Sequence, residues 1–220
     1  NADIALAVYT DSVETAKELK AALATFKTDP SDANLEAAKK AWLVSREPYG
    51  QTEVYRFRDT PIDSLDVEGD INAWPLGEAL IDYVETNTSD FGDDQVGITG
   101  NDAGINGGGA ITAAQAQADN TNNIIGNENV VISAALLDNT LSAADEHDVI
   151  SGYHAIEFLL WGQDLNTTDQ TTTDGTDRNL AVVTGATGGQ RPLADFVSTV
   201  TGDSADRRHL YLEVAVDKLI

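Results

Sequence analysis

A chain of 220 residues, 41% of them hydrophobic, is long enough to bury a substantial core in one or two domains. Thirteen Lys and Arg stand against 37 Asp and Glu, a formal charge of −24, so phosphates of nucleic acid and anionic lipid headgroups are repelled over most of the surface and nucleic-acid binding is excluded. There is no cysteine, which removes disulfides, thiolate metal clusters and cysteine nucleophiles, and no apolar run reaches the roughly 20 residues of a membrane span.

In chain order, Tyr9, Val13, Ala16, Leu19, Leu23 and Phe26 recur at three- and four-residue steps and predict an amphipathic helix over the first 27 residues. Thr28-Asp29-Pro30-Ser31 breaks it, and Leu35, Ala38, Trp42, Ser45 and Tyr49 predict a second helix, kinked or ended at Pro48. A short third helix is expected from Trp74-Pro75 through Leu76, Leu80 and Val84, with proline in the first turn where its missing N–H costs nothing. Residues 87–127, rich in Asn, Asp, Gly and Thr, read as a long irregular loop with one weak helix near 110–118. Helix is expected again over Glu128–Leu137 and Asp145–Trp161. A second irregular stretch runs over 164–190, and helical pattern returns over Pro192–Val200 and Asp206–Ile220.

No alternating strand pattern competes over comparable length, so the fold expected is all-α, an antiparallel helical bundle with two long irregular loops. Residues 1–200 are expected to form a helical-bundle domain. Residues 206–220, an apolar stripe with no glycine terminator, read as the start of a helix leading into a second bundle beyond this sequence. The sequence begins at Asn1 and contains no Met, the pattern expected after a start, and with it an export signal, has been removed.

Charge is unevenly spread. Residues 1–60 hold 8 basic and 10 acidic residues, whereas 61–177 hold 22 acidic residues and no Lys or Arg. Such a block serves as a solvated face or an adaptation to a salty medium, and the same field raises the local concentration of divalent cations.

Any metal must therefore be held by His, Asp, Glu or backbone oxygen. Of the three histidines, His154 stands in Gly152-Tyr153-His154-Ala155-Ile156-Glu157, where His154 and Glu157 are i and i+3 on a predicted helix and point the same way. One helix face thus offers a nitrogen and an oxygen donor, and Gly152 would let a neighbouring helix or a ligand approach closely. Open-sided sites usually use three ligands, so another is needed. If helix continues past Pro48, Tyr49, Glu53 and Arg56 share a face; Glu53 either completes the site or pairs with Arg56. Trp42, Trp74 and Trp161 read as core anchors, and His147, seven residues before His154, as a supporting or surface residue.

There is no His-Glu-x-x-His, no Gly-x-Ser-x-Gly and no phosphate-cradling glycine loop followed by Lys, which excludes zincin proteases, serine hydrolases and NTPases. Asp164, Asp169 and Asp174 lack the alternate spacing and terminal Glu of a calcium loop.

The segments Arg46-Glu47-Pro48-Tyr49-Gly50-Gln51-Thr52-Glu53-Val54-Tyr55-Arg56-Phe57, Ile71-Asn72-Ala73-Trp74-Pro75-Leu76, Ile81-Asp82-Tyr83-Val84 and Gly152-Tyr153-His154-Ala155-Ile156-Glu157, with Arg191-Pro192 and Asp206-Arg207-Arg208 following in order, resemble the imelysin family. The resemblance implies a bacterial cell-envelope protein, periplasmic or outer-membrane-anchored, made of two helical halves with a site between them. It implies a metal motif of the form Gly-x-His-x-x-Glu on Gly152, His154 and Glu157, with Glu53 as a further ligand and Gly152, Tyr49, Arg46, Arg56, Asp82 and His147 in support. The metal implied is iron, with zinc or manganese as alternatives, and the partners implied are envelope iron-transport proteins and the other half of the same protein. A metallopeptidase is the second expectation, with Glu53 as base, and a binding or scaffold protein with a purely structural His154–Glu157 pair is the third.

Overall fold

A computed structural model describes residues 2–56, 71–72, 76–83, 123–138, 149–162 and 191–220. The loop expected over 164–190, most of that over 87–127, and Trp74, Pro75, Val84 and His147 lie outside the described residues.

Helix α1 spans Ala2–Thr28 and buries Ala16, Leu19, Leu23 and Phe26, while Tyr9 and Val13, on the same expected stripe, are half-buried. Ser31 caps α2, Asp32–Gln51, by accepting from the Asn34 N–H at 3.4 Å. The three-residue connection folds α2 back along α1, and Leu35, Ala38, Trp42, Ser45 and Tyr49 are all buried as the periodicity requires. Pro48 does not end the helix. Backbone continues helically through it to Gln51 and then tightens into a 3-10 turn, Thr52–Tyr55.

The middle of the chain is less helical than its pattern predicts. Helix α3 is a single turn, Glu78–Ile81, because Leu76 forms a parallel bridge with Val149. The carbonyls of Leu80 and Ile81 accept from Ile124 and Ile125 at 2.8 and 3.0 Å, which takes them from a longer helix. The helix expected over 128–137 is reduced to α4, Ala134–Asp138. Arg207 explains the shortfall: its guanidinium donates to the carbonyls of Ile124, Ile125, Asn127 and Val130, which holds this stretch in turns. Of the helix expected over Asp145–Trp161, residues 145–148 lie outside the described residues, Val149 is in the bridge and Ser151 is extended, and α5 is Gly152–Trp161. Over 192–200 the helical pattern yields one 3-10 turn, Leu193–Phe196. Helix α6, Ser204–Asp217, is capped by Asp203, which accepts from the Asp206 N–H at 2.9 Å.

Helix α5 is central: seven of its ten residues are buried, and it packs on α2 and α6 while α1 covers α2 and α6 in turn. Among the described residues the fold is all-α with that one bridge.

A buried ionic knot holds the far side together. Asp82 is fully buried and accepts from Arg191 Nη1 at 2.8 Å and from Arg208 Nε and Nη2 at 2.6 and 3.0 Å. Asp195 takes a further Arg191 N–H at 3.1 Å and the Tyr83 hydroxyl at 2.5 Å. Removing the shared carboxylate leaves two arginines facing each other out of water, so Asp82→Ala is expected to cost about 3–5 kcal/mol, read as a lower urea midpoint.

His209 wedges between Phe26 and Phe196, ring centroids 5.1 and 5.5 Å away, and donates from Nε2 to the Phe196 carbonyl at 3.0 Å. Burial pushes its pKa below 6.5; the Phe196 carbonyl opposes this and nearby Lys27 adds to it. The folded protein therefore binds the proton less readily than the unfolded chain. Stability is expected to be full above pH 6.5 and to fall as pH drops through 6.5 toward the lower folded value, a slope that His209→Gln flattens in urea titrations run at several pH values.

Candidate metal centre

The sequence Gly-Tyr-His-Ala-Ile-Glu makes α5 amphipathic in an inverted sense: it is apolar nearly all round, with one open seam. His154, Glu157 and Trp161, at i, i+3 and i+7, are its half-buried positions. Gly152 has φ +79°, in the left-handed region, so the glycine is required by the backbone where the chain turns from the bridge into the helix. That is a different reason from the close approach expected from the sequence.

His154 Nδ1 lies 3.2 Å from Glu157 Oε2, with the side chains 21% and 45% exposed. A carboxylate at Nδ1 fixes the tautomer and orientation of an imidazole, as outer carboxylates do for metal-binding histidines. The pair sets one imidazole and one carboxylate side by side at a half-buried position of the helix.

Glu53 sits in the 3-10 turn, where residues three apart eclipse, and contacts Arg56 Nη2 at 3.5 Å with its side chain 64% exposed. Among the described residues no three of His, Asp, Glu or Cys gather in a group able to hold a metal ion. The described part of the chain thus supplies a two-donor pair, with Glu53 engaged elsewhere. Asp82 is committed to Arg191 and Arg208.

Helices α2 and α5 are joined by aromatic side chains. Trp42 Nε1 donates to the Tyr153 carbonyl at 2.9 Å, and the Tyr153 hydroxyl donates to the Ser45 carbonyl at 3.3 Å. Trp161 packs edge-on against Trp42 at 5.3 Å, and Tyr49 lies 5.0 Å from Tyr153. Arg46 stacks over the rings of Tyr153, Tyr49 and Trp42 at 5.0, 5.4 and 5.7 Å and donates to Asn72 Oδ1 at 2.6 Å. Arg56 covers another part of Tyr49 at 4.9 Å. Burial pushes Tyr49 up to about 12 against the opposing pull of Arg56 and Arg46, and burial raises Tyr153 too, so both are phenols rather than phenolates at neutral pH. The ring box was not foreseen from the sequence, although Trp42, Arg46 and Tyr49 at i, i+4 and i+7 on one helix were its signal.

No described helix is long and apolar enough to cross a membrane. Iron-regulated protein A of Synechococcus elongatus is 40% identical over 68 residues, which are 31% of this chain and 18% of that protein's length. The peptidase M75 family model, described as imelysin, matches residues 5–220, and the chain belongs to the imelysin family.

Proposed function

We propose that this protein handles iron in the bacterial cell envelope, periplasmic or outer-membrane-anchored, and binds the metal through His154 and Glu157. The observation that carries the reading is the His154–Glu157 contact on the open seam of a helix otherwise buried on all sides. The likeness to a protein named as iron-regulated supports iron over zinc or manganese. A nitrogen with carboxylate oxygens is a borderline-to-hard donor set that accepts all three metals.

For Glu53 to be the third ligand in this reading it must leave Arg56 and move to the His154–Glu157 pair, because the three donors do not gather among the described residues. Its contact with Arg56 is long, 3.5 Å, with the Glu53 side chain 64% exposed and that of Arg56 12% exposed. The acidic stretch 61–177 concentrates cations near the chain. Envelope iron-transport proteins are the partners that such a role calls for.

The peptidase heading of the family model favours a second reading, in which a bound metal polarises a peptide carbonyl. Glu157 would then serve as ligand and leave Glu53 as base, a division that leaves two ligands from the described residues.

Calorimetric titration of metal-stripped protein with Fe(II), Fe(III), Zn(II) and Mn(II) tests both. One-site binding is expected to weaken at least about tenfold in His154→Ala and Glu157→Ala, with unchanged circular dichroism. Undiminished affinity in both variants would sink the metal reading. Cleavage of a peptide library by the loaded wild type, absent from Glu53→Gln, would put the peptidase first.

A further inference from the structure

We infer that the groove between α1 and α6 is an acid-sensitive latch: Glu213 ties the two helices together through Lys27 while His209 is neutral, and turns to His209 once that ring is protonated.

Lys27 of α1 and His209 and Glu213 of α6 all line one groove of about 210 Å³ between the two helices, over apolar side chains that include Leu23 and Val216. Lys27 Nζ meets Glu213 Oε2 at 2.7 Å, with the side chains 42% and 50% exposed. His209, in contrast, is 5% exposed. A carbonyl can only accept, so the bond from Nε2 to Phe196 places the single proton of the neutral ring on Nε2. A second proton must enter at Nδ1. It creates a cation almost out of water, which needs an acceptor.

The charges around the ring decide which acceptor that is. On α1, Lys27 repels an imidazolium, and Lys20 is held by Asp217 at 2.5 Å. On the 3-10 turn, Asp195 is taken by Arg191 and Tyr83. On α6, Arg208 repels and is bound to Asp82, while Asp206 accepts the Gly202 N–H at 2.9 Å in the first turn. Glu213 stands at i+4 from His209. Side chains of a helix lean toward its N-terminus, so a residue at i+4 reaches back over residue i, here within a groove that both residues line. Its partner in the neutral state is an exposed lysine, which water solvates readily once released, whereas a buried imidazolium has no such recourse.

Burial first, and Lys27 after it, hold the pKa of His209 below 6.5, so the latch is closed at neutral pH. In acid the exchange removes one of the two ion pairs that join α1 to α6 among the described residues. The remaining pair, at Lys20, lies two helical turns away, so loosening begins at the C-terminal end of α1, where the chain turns into α2.

The test follows the His209 ring by NMR through a pH titration of the full chain, its signals assigned by their loss in His209→Gln. The midpoint is expected to fall by at least about 0.5 pH in Glu213→Gln and to rise by a similar amount in Lys27→Gln. With Glu213 already replaced, Lys27→Gln is expected to move it less than half as far, because the shared carboxylate is gone. Equal shifts in both backgrounds would reduce Lys27 to simple repulsion and overturn the exchange. A larger fall in Asp206→Asn than in Glu213→Gln would overturn it too, by making Asp206 the acceptor. Amide exchange over 20–28 reads the opening: its rate in wild type relative to His209→Gln is expected to rise at least about threefold between about pH 8 and about pH 5. A constant ratio would show that the groove stays shut and would sink the latch.

Discussion

The pairing of one buried carboxylate with two buried arginines organises this molecule. Asp82 is out of water, as are Arg191 and Arg208, and each would be prohibitive to bury alone. Such a knot contributes little net stability compared with an apolar core of equal volume, but it tolerates only one arrangement of the segments that supply it. Asp82 leaves α3 in extended conformation to reach the arginines, which ends that helix after one turn. Arg191 brings the chain back against the end of α5: its N–H donates to the Trp161 carbonyl at 2.8 Å, and its Cβ lies 3.3 Å from where a side chain at Gly162 would begin. Gly162, at φ +84°, is thus needed both for its backbone angle and for that approach.

The consequence reaches the metal pair. Helix α5 is pinned at its C-terminal end by Arg191 and at its N-terminal end by Trp42 on the Tyr153 carbonyl and by the Tyr211 hydroxyl on the Ile150 carbonyl. A ten-residue helix held at both ends and buried on nearly every side cannot rotate to relieve a misplaced ligand. The seam bearing His154 and Glu157 is therefore set by contacts made elsewhere on the helix.

How far the sequence reveals this depends on whether a residue's partners are local. Helices α1, α2 and α6 were legible because their stripes bury against one another and their caps, Ser31 and Asp203, lie beside them in sequence. The middle of the chain misled because its backbone groups are satisfied from far away. Arg207 takes four carbonyls about 80 residues upstream, and Ile124 and Ile125 take those that would have extended α3. Helical periodicity survives there because the same apolar residues are buried in turns. At the site, the i and i+3 relation of His154 to Glu157 was legible for the same local reason, and so was Glu53 to Arg56. Asp82 was expected beside the site, and nothing in its own neighbourhood announces that arginines at 191 and 208 claim it.

The distribution of charge has a structural side as well. The lysines of α1 reach across to acids of α6, Lys20 to Asp217 at 2.5 Å and Lys27 to Glu213 at 2.7 Å, pairs too exposed to add much stability. Their effect is to neutralise the acids of α6, while the acidic stretch 61–177 has no Lys or Arg of its own to do the same. Positive charge beside α5 comes from Arg46 on α2, over the Tyr153 ring, and from Arg191, over the Phe158 ring and bound to Asp82. Because α5 packs directly on α2, Arg46 lies over the Tyr153 ring although it stands more than a hundred positions upstream.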